Sequence, residues 1–185
     1  MKPTFAAAML LTLAAAPAWA SEWVVDRERS TLGFESLWSG EAFGAVFHEW
    51  HAKIAFDPAD LAAAEAEVAI DVNSLDTGDP ELDDGLKGAL GFDVANHPIA
   101  RFAVKSFRTT GPDAYEALAD LTVRGITQEI VLPFTLAIDG DTAHMTGEIG
   151  LLRTDFGVGT GMWAGDKPVA HAVTVTVDLT ATRTH

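Results

Sequence analysis

The segment Ile130-Val131-Leu132-Pro133-Phe134-Thr135-Leu136-Ala137-Ile138 carries the clearest β-strand pattern of the chain. Its large apolar side chains recur at every second position, which puts them on one face of an extended strand. Asp139-Gly140-Asp141 follows, and Asp-Gly favours a tight hairpin turn. Met145, Ile149 and Leu151 continue the alternation on the return strand. This stretch therefore predicts an antiparallel hairpin with one apolar face.

Similar alternation recurs on both sides of this hairpin, between short turns rich in Gly, Pro and Asp. It is found in segments 31–38, 66–73, 102–107, 115–123 and 169–179. A longer apolar stretch, 43–56, is less regular and is expected to contain a bulge. We therefore predict an all-β chain of about eight antiparallel strands. Such meanders close into barrels or stack as sandwiches, and the pattern alone leaves both open.

One short helix interrupts the strands. Asp79-Pro80 is a typical helix start, Leu82, Leu86 and Leu90 recur four residues apart, and Gly91 is a typical stop. The spacing predicts an amphipathic helix over 79–90.

The first 20 residues have the features of a secretory signal peptide. Lys2 supplies a positive charge, residues 5–16 are almost wholly apolar, and Ala18-Trp19-Ala20 is a cleavage site before Ser21. We expect a signal peptide at 1–20, a single domain at 21–185 and, in a Gram-negative host, a periplasmic protein. An uncleaved leader acting as an anchor is the alternative. No later apolar run approaches the roughly 18 residues of a membrane span, so we expect no stable membrane insertion.

Charge and cysteine content exclude several classes of protein. The chain has 27 acidic and 12 basic residues, a net charge of −15. Phosphate backbones and anionic lipid headgroups repel such a charge, so we predict no nucleic-acid partner. The chain has no Cys, which excludes disulfides and thiolate chemistry.

Catalytic and metal-binding patterns are weak. The chain lacks the Gly-x-Ser-x-Gly, His-Glu-x-x-His and phosphate-loop motifs, so we predict that it is not an enzyme. The closest histidine pair, His48 and His51, would point to opposite faces of a regular strand, and we assign no metal ligand. A periplasmic copper-handling protein that uses His48, His51 or His171 is the alternative function. A third hypothesis, ranked below both, is an enzyme that acts on a bound lipid with His171 as its base.

Aromatic and aliphatic residues are abundant in the strands, but their pattern does not separate a filled core from a lined tunnel. Several further motifs follow one another along the chain: Trp23-x-x-Asp26, Val68-x-Ile70-Asp71-x-x-Ser74-Leu75-Asp76-Thr77-Gly78, His97-Pro98-x-Ala100-x-Phe102, Leu121-Thr122-Val123-Arg124-Gly125-Ile126-Thr127 and Arg153-x-Asp155-Phe156-Gly157-x-Gly159. In this order they resemble the YceI-like family.

The resemblance implies that 21–185 is a lipocalin-like closed antiparallel barrel with an apolar tunnel that the helix partly covers. It also implies an exported protein that binds a slender amphiphile, such as a polyisoprenoid, an isoprenoid quinone or a fatty-acid derivative. The expected role is that of a carrier or scavenger, with no cofactor other than this lipid. The sequence leaves a homodimer open.

The candidate ligand-binding residues are those in phase with the inner face of the barrel. They are Leu32, Phe34, Val46, Trp50, Phe102, Leu121, Val123, Phe134, Leu136, Met145, Ile149, Val173, Val175 and Val177, with His171 as a polar candidate at the rim. The expected bulge leaves the phase of Val46 and Trp50 open, and His171 has the alternative of a hydrogen bond to the nearby loop. We interpret Arg153 and Asp155 as an ion pair that stabilises a barrel corner beside Gly157.

Overall fold

A continuous antiparallel sheet wraps around an apolar interior in the computed structural model, which describes residues 21–184. The predicted signal peptide, 1–20, and His185 lie outside the described residues. The strands of the described chain are β1 (Glu22–Val25), β2 (Thr31–Trp38), β3 (Glu41–Phe47), β4 (Trp50–Ala55), β5 (Glu65–Asp71), β6 (Leu75–Asp76), β7 (Ile99–Gly111), β8 (Ala114–Val123), β9 (Ile126–Asp139), β10 (Thr142–Leu152) and β11 (Ala172–Arg183).

The sheet closes because β11 pairs with two successive strands. Its first half pairs with β2 and its second half with β1, which in turn pairs with β4. Three barrel strands are each interrupted once and therefore consist of two segments: β1 with β2, β3 with β4, and β5 with β6. Each such pair of segments is called one strand path. Counted this way, residues 21–184 form an eight-stranded closed barrel, which confirms the predicted fold class.

The three interrupted paths lie side by side. β1 and β2 are separated by a 3-10 turn, Arg27–Arg29, and β5 and β6 by another, Val72–Ser74. Between them, the stretch predicted to contain a bulge breaks at His48 and Glu49. The Arg27 guanidinium donates to the His48 carbonyl and to the Glu49 carboxylate, and the Ser74 hydroxyl accepts from the Glu49 N–H at 2.9 Å. The barrel wall therefore bends along one line across three neighbouring paths.

The predicted helix is present but shorter than expected. In the described chain α1 spans Pro80–Lys87, and Asp79 caps it by accepting the Glu81 N–H at 2.9 Å. The Phe92 N–H donates to the Leu86 carbonyl at 2.7 Å, so the chain folds back beyond Lys87. Leu86 is buried at one end of the barrel, whereas Leu90, expected on the same helical face, lies beyond the helix and is partly exposed.

Within residues 21–184, no helix combines the length and apolar character needed to cross a bilayer.

Candidate functional site

Two adjoining cavities occupy the interior of the barrel. Their volumes are about 170 Å³ and 130 Å³, and they share five lining residues: Leu32, Ile70, Leu121, Leu151 and Val175. The lining is almost entirely hydrocarbon, with Ser36 and Arg153 as polar exceptions in the smaller cavity. For scale, an apolar cavity of about 150 Å³ engineered in another protein stays dry and binds benzene. The interior is thus a lined space rather than a filled core.

Most of the candidate residues line this space together. Those that do are Leu32, Phe34, Trp50, Phe102, Leu121, Val123, Phe134, Leu136, Met145, Ile149, Val173, Val175 and Val177. Their contact with a ligand stays a prediction.

The structure places Val46 and His171 outside the cavity lining. Val46 pairs with Gly33, whereas the neighbouring pair, Phe34 with Ala45, faces inward, so Val46 is one residue out of phase. His171 precedes β11 and lies at the rim. Its ring Nε2 is 3.0 Å from the Ala164 carbonyl oxygen, and its backbone N–H donates to Asp166.

Sequence reasoning missed several lining residues. Phe107 turns inward because a β-bulge between Val104 and Ser106 shifts the alternation of β7 by one residue. Phe56, Phe92 and Phe156 belong to connections rather than strands, where a period of two gives no information. Ile70 could have been found, because the alternation of its strand is regular.

Aromatic side chains close both ends of the interior. At the end near the β9–β10 hairpin, the ring centroids of Phe56 and Phe107 are 5.1 Å apart, and those of Tyr115 and Phe134 are 5.4 Å apart. At the opposite end, beneath α1, the ring centroids of Phe34 and Phe92 are 6.1 Å apart. Packed aromatic groups therefore lie at both ends of the interior.

Arg153 is buried at the second of these ends, and its partners differ from those predicted. Its guanidinium donates to six backbone carbonyls: those of Val158, Gly159, Trp163, Gly165, Val169 and Ala170. The predicted ion pair with Asp155 is wrong, because these carbonyls converge on the guanidinium and use all five of its N–H groups. Burial lowers the pKa of Arg153, an effect that the charge of Asp166 opposes. Arg153 thus holds its loop and offers no spare donor to the cavity.

His48 and His171, two of the candidate metal ligands, contact other groups: His48 a carboxylate and His171 a backbone carbonyl. The His48 ring Nε2 lies 3.0 Å from Asp76 Oδ2, while His51 is exposed on β4. Among residues 21–184, no group of three or more His, Asp or Glu side chains is arranged to hold a metal ion.

A sequence model of a known family matches most of the chain. It is described as a YceI-like domain and covers residues 23–181. The chain belongs to the YceI-like family.

Similar proteins and solved structures show how far the likeness extends. A UPF0312 protein of Pseudomonas savastanoi is 30% identical over 169 residues, which cover 85% of this chain and 88% of that protein. The crystal structure of BcnA from Burkholderia cenocepacia has 31% identity and a TM-score of 0.83, and the match covers 86% of this chain and all of that one. A domain of Saccharophagus degradans, described as polyisoprenoid-binding and implicated in plant cell wall breakdown, shares the fold. Its TM-score is 0.71 at 17% identity, over 90% of this chain and all of that one.

Proposed function

We propose that this protein is an exported carrier or scavenger that holds the apolar tail of an isoprenoid, a quinone or a similar slender amphiphile inside its barrel. The observation that carries the proposal is the pair of adjoining cavities with their hydrocarbon lining. The polyisoprenoid-binding domain of Saccharophagus degradans, which has the same fold, supports this ligand class.

Energetics favour a ligand for this space. An empty cavity costs about 24 cal/mol per Å³, so the larger cavity alone costs about 4 kcal/mol relative to a filled core. An apolar tail recovers roughly 0.8 kcal/mol for each CH₂ group that it removes from water. A chain of several such groups therefore binds without a charged anchor.

The lining also favours a neutral ligand. Ser36 donates its hydroxyl to the Ala172 carbonyl at 2.9 Å, and the N–H groups of Arg153 are all used by carbonyls. A carboxylate that moved from water into this cavity would lose its hydrogen bonds to water and find no free protein donor, which costs several kcal/mol. We therefore rank isoprenoids and quinones above free fatty acids.

Binding is tested by tryptophan quenching. Trp23 and Trp50 line the larger cavity, so a benzoquinone with a decyl tail should quench the protein fluorescence when it binds. Val175 contacts both cavities, and Val175→Phe should narrow their junction and weaken binding by about tenfold. Thr176→Phe, on the outer face of the same strand, is the matched control and should bind as the wild type does.

Quenching that is absent, or equally weak in both variants, would contradict the proposal. Dodecanoate measured in competition tests the preference for neutral ligands. Export is tested separately: the intact mass of the protein recovered from the periplasm of a Gram-negative host should correspond to a chain that begins at Ser21.

A further inference from the structure

The barrel wall has a gap between β9 and β10. These strands form a hairpin whose pairing runs from Asp139 and Thr142 to Phe134 and Gly147 and then ends. β9 continues to pair with β8, and β10 with β11, so both strands remain regular beyond the point where they separate. Among the described residues, none pairs with the facing edges of 129–132 and 148–151.

Pro133 accounts for the point of separation. Its carbonyl oxygen lies 3.1 Å from the position that a Cβ on Gly147 would occupy, so this residue directs its backbone polar groups toward β10. A proline has no N–H, so the next hydrogen bond of the ladder has no donor. The gap is therefore encoded at a specific position of the strand.

The gap has a defined far end and an apolar rim. The Gln128 side-chain amide donates to the Asp155 carbonyl at 2.9 Å, which joins β9 to the segment that follows β10. Val131 and Leu152 flank the gap on the outside with 44% and 48% of their surface exposed. On the inside, Ile130 and Ile149 line the larger cavity.

We propose that an apolar tail enters and leaves the cavity sideways through this gap, which acts as a lateral portal. The inference rests on the proposed function. Buried residues are packed at both ends of the barrel: Phe56 and Tyr115 at one end, and Leu86 and Phe156 at the other. Passage through the ends requires these packed groups to move, whereas passage between β9 and β10 breaks no backbone pairing.

The test closes the gap by a cross-link. If the register of the β9–β10 hairpin continued beyond Phe134 and Gly147, Val131 would lie opposite Gly150. Both positions face outward. In the Val131→Cys/Gly150→Cys variant, bismaleimidoethane reacts with the introduced thiols alone, because the chain has no Cys. Stopped-flow quenching by decyl-benzoquinone should show that entry and exit both slow by about tenfold or more, with little change in Kd.

The matched control joins strands that are already paired. Gly150 faces Thr174 across β10 and β11, so cross-linked Gly150→Cys/Thr174→Cys should exchange the quinone within about twofold of the wild-type rate. Pro133→Val, which restores the missing N–H, should slow exchange without any cross-link.

Unchanged rates in the cross-linked Val131→Cys/Gly150→Cys variant would overturn the portal. The portal would also be overturned if a cross-link in Leu90→Cys/Met162→Cys, at the end covered by α1, slowed the entry and exit of the quinone instead. Absence of quenching in the wild-type protein would overturn the proposed function itself, and with it the portal.

Discussion

The loop after β10 is organised by the guanidinium of Arg153. Six carbonyls from residues 158–170 turn toward it, and Gly157, with φ of 64°, allows the tight turn that starts the loop. A Cβ on Gly159 would overlap the Arg153 guanidinium, which the six carbonyls hold in place, so glycine also provides the space that this group needs. The charge is thus solvated by the backbone of its own loop.

Arg153→Met should lower the free energy of unfolding by about 3 kcal/mol or more, because a buried carbonyl that loses its donor costs about 1–3 kcal/mol. Arg153→Lys should recover part of this, since an ammonium group has three donors rather than five. Urea denaturation measures the effect. Arg108→Met is the control: its ion pair with Glu116 is exposed, and its removal should cost less than about 1 kcal/mol. Equal costs for Arg153→Met and Arg108→Met would contradict this role.

At the scale of elements, the bend across three strand paths is connected to the start of α1 through Asp76. This residue ends β6, and its carboxylate accepts the Gly78 N–H at 2.8 Å and lies 3.0 Å from the His48 ring. These two contacts join the turn that precedes α1 to the break between β3 and β4.

The same contacts lower the pKa of Asp76 below its ordinary value of 3.8, the Gly78 N–H being the larger cause and His48 the next. A depressed pKa means that the ionised carboxylate stabilises the fold above pH 3.8, and that this contribution is lost as the pH falls through the folded-state pKa. A carbon-13 NMR titration should give Asp76 a pKa below 3.8. In His48→Ala it should rise but stay below 3.8, because the Gly78 N–H remains. A value at or above 3.8 in the wild type would contradict the geometry.

At the scale of the whole molecule, the barrel combines an apolar cavity with two neighbouring strands, β9 and β10, that stop pairing part-way along the wall. A closed barrel of about eight strands is just wide enough to hold side chains or one small ligand. Here small side chains such as Ala117 and Ala143 face the interior together with larger ones, which leaves part of it unfilled.

Ligand binding should therefore raise stability in a concentration-dependent way. With decyl-benzoquinone at about 100 times its Kd, the free energy of unfolding should increase by about 2.7 kcal/mol. For a domain of this size, that corresponds to a rise in Tm of roughly 5–10 °C. Thermal unfolding followed by circular dichroism measures it, and Val175→Phe at the same quinone concentration should show a smaller rise. A Tm that does not depend on quinone concentration would show that the cavity does not take this ligand.

Regular strands were the most predictable part of the fold. The alternation of Ile130 to Ile138 predicted both the strand and its inner face, and Asp79 predicted the helix start. Prediction failed where a local break changes the phase. The break at His48 shifts the phase, so counting back from Trp50 puts Val46 on the wrong face. The bulge in β7 has the same effect on Phe107 when the count starts from Phe102.

The sequence by itself determined that the chain forms antiparallel strands with one apolar face, because alternation with a period of two is a local property of an extended backbone. Only the tertiary structure decided that the enclosed interior is hollow, that Arg153 binds carbonyls rather than Asp155, and that the wall opens beyond Pro133. These features depend on distances between strands that are far apart in the chain or that separate after pairing. A hydrophobic pattern specifies which way a side chain points, but not how far away the opposite wall lies.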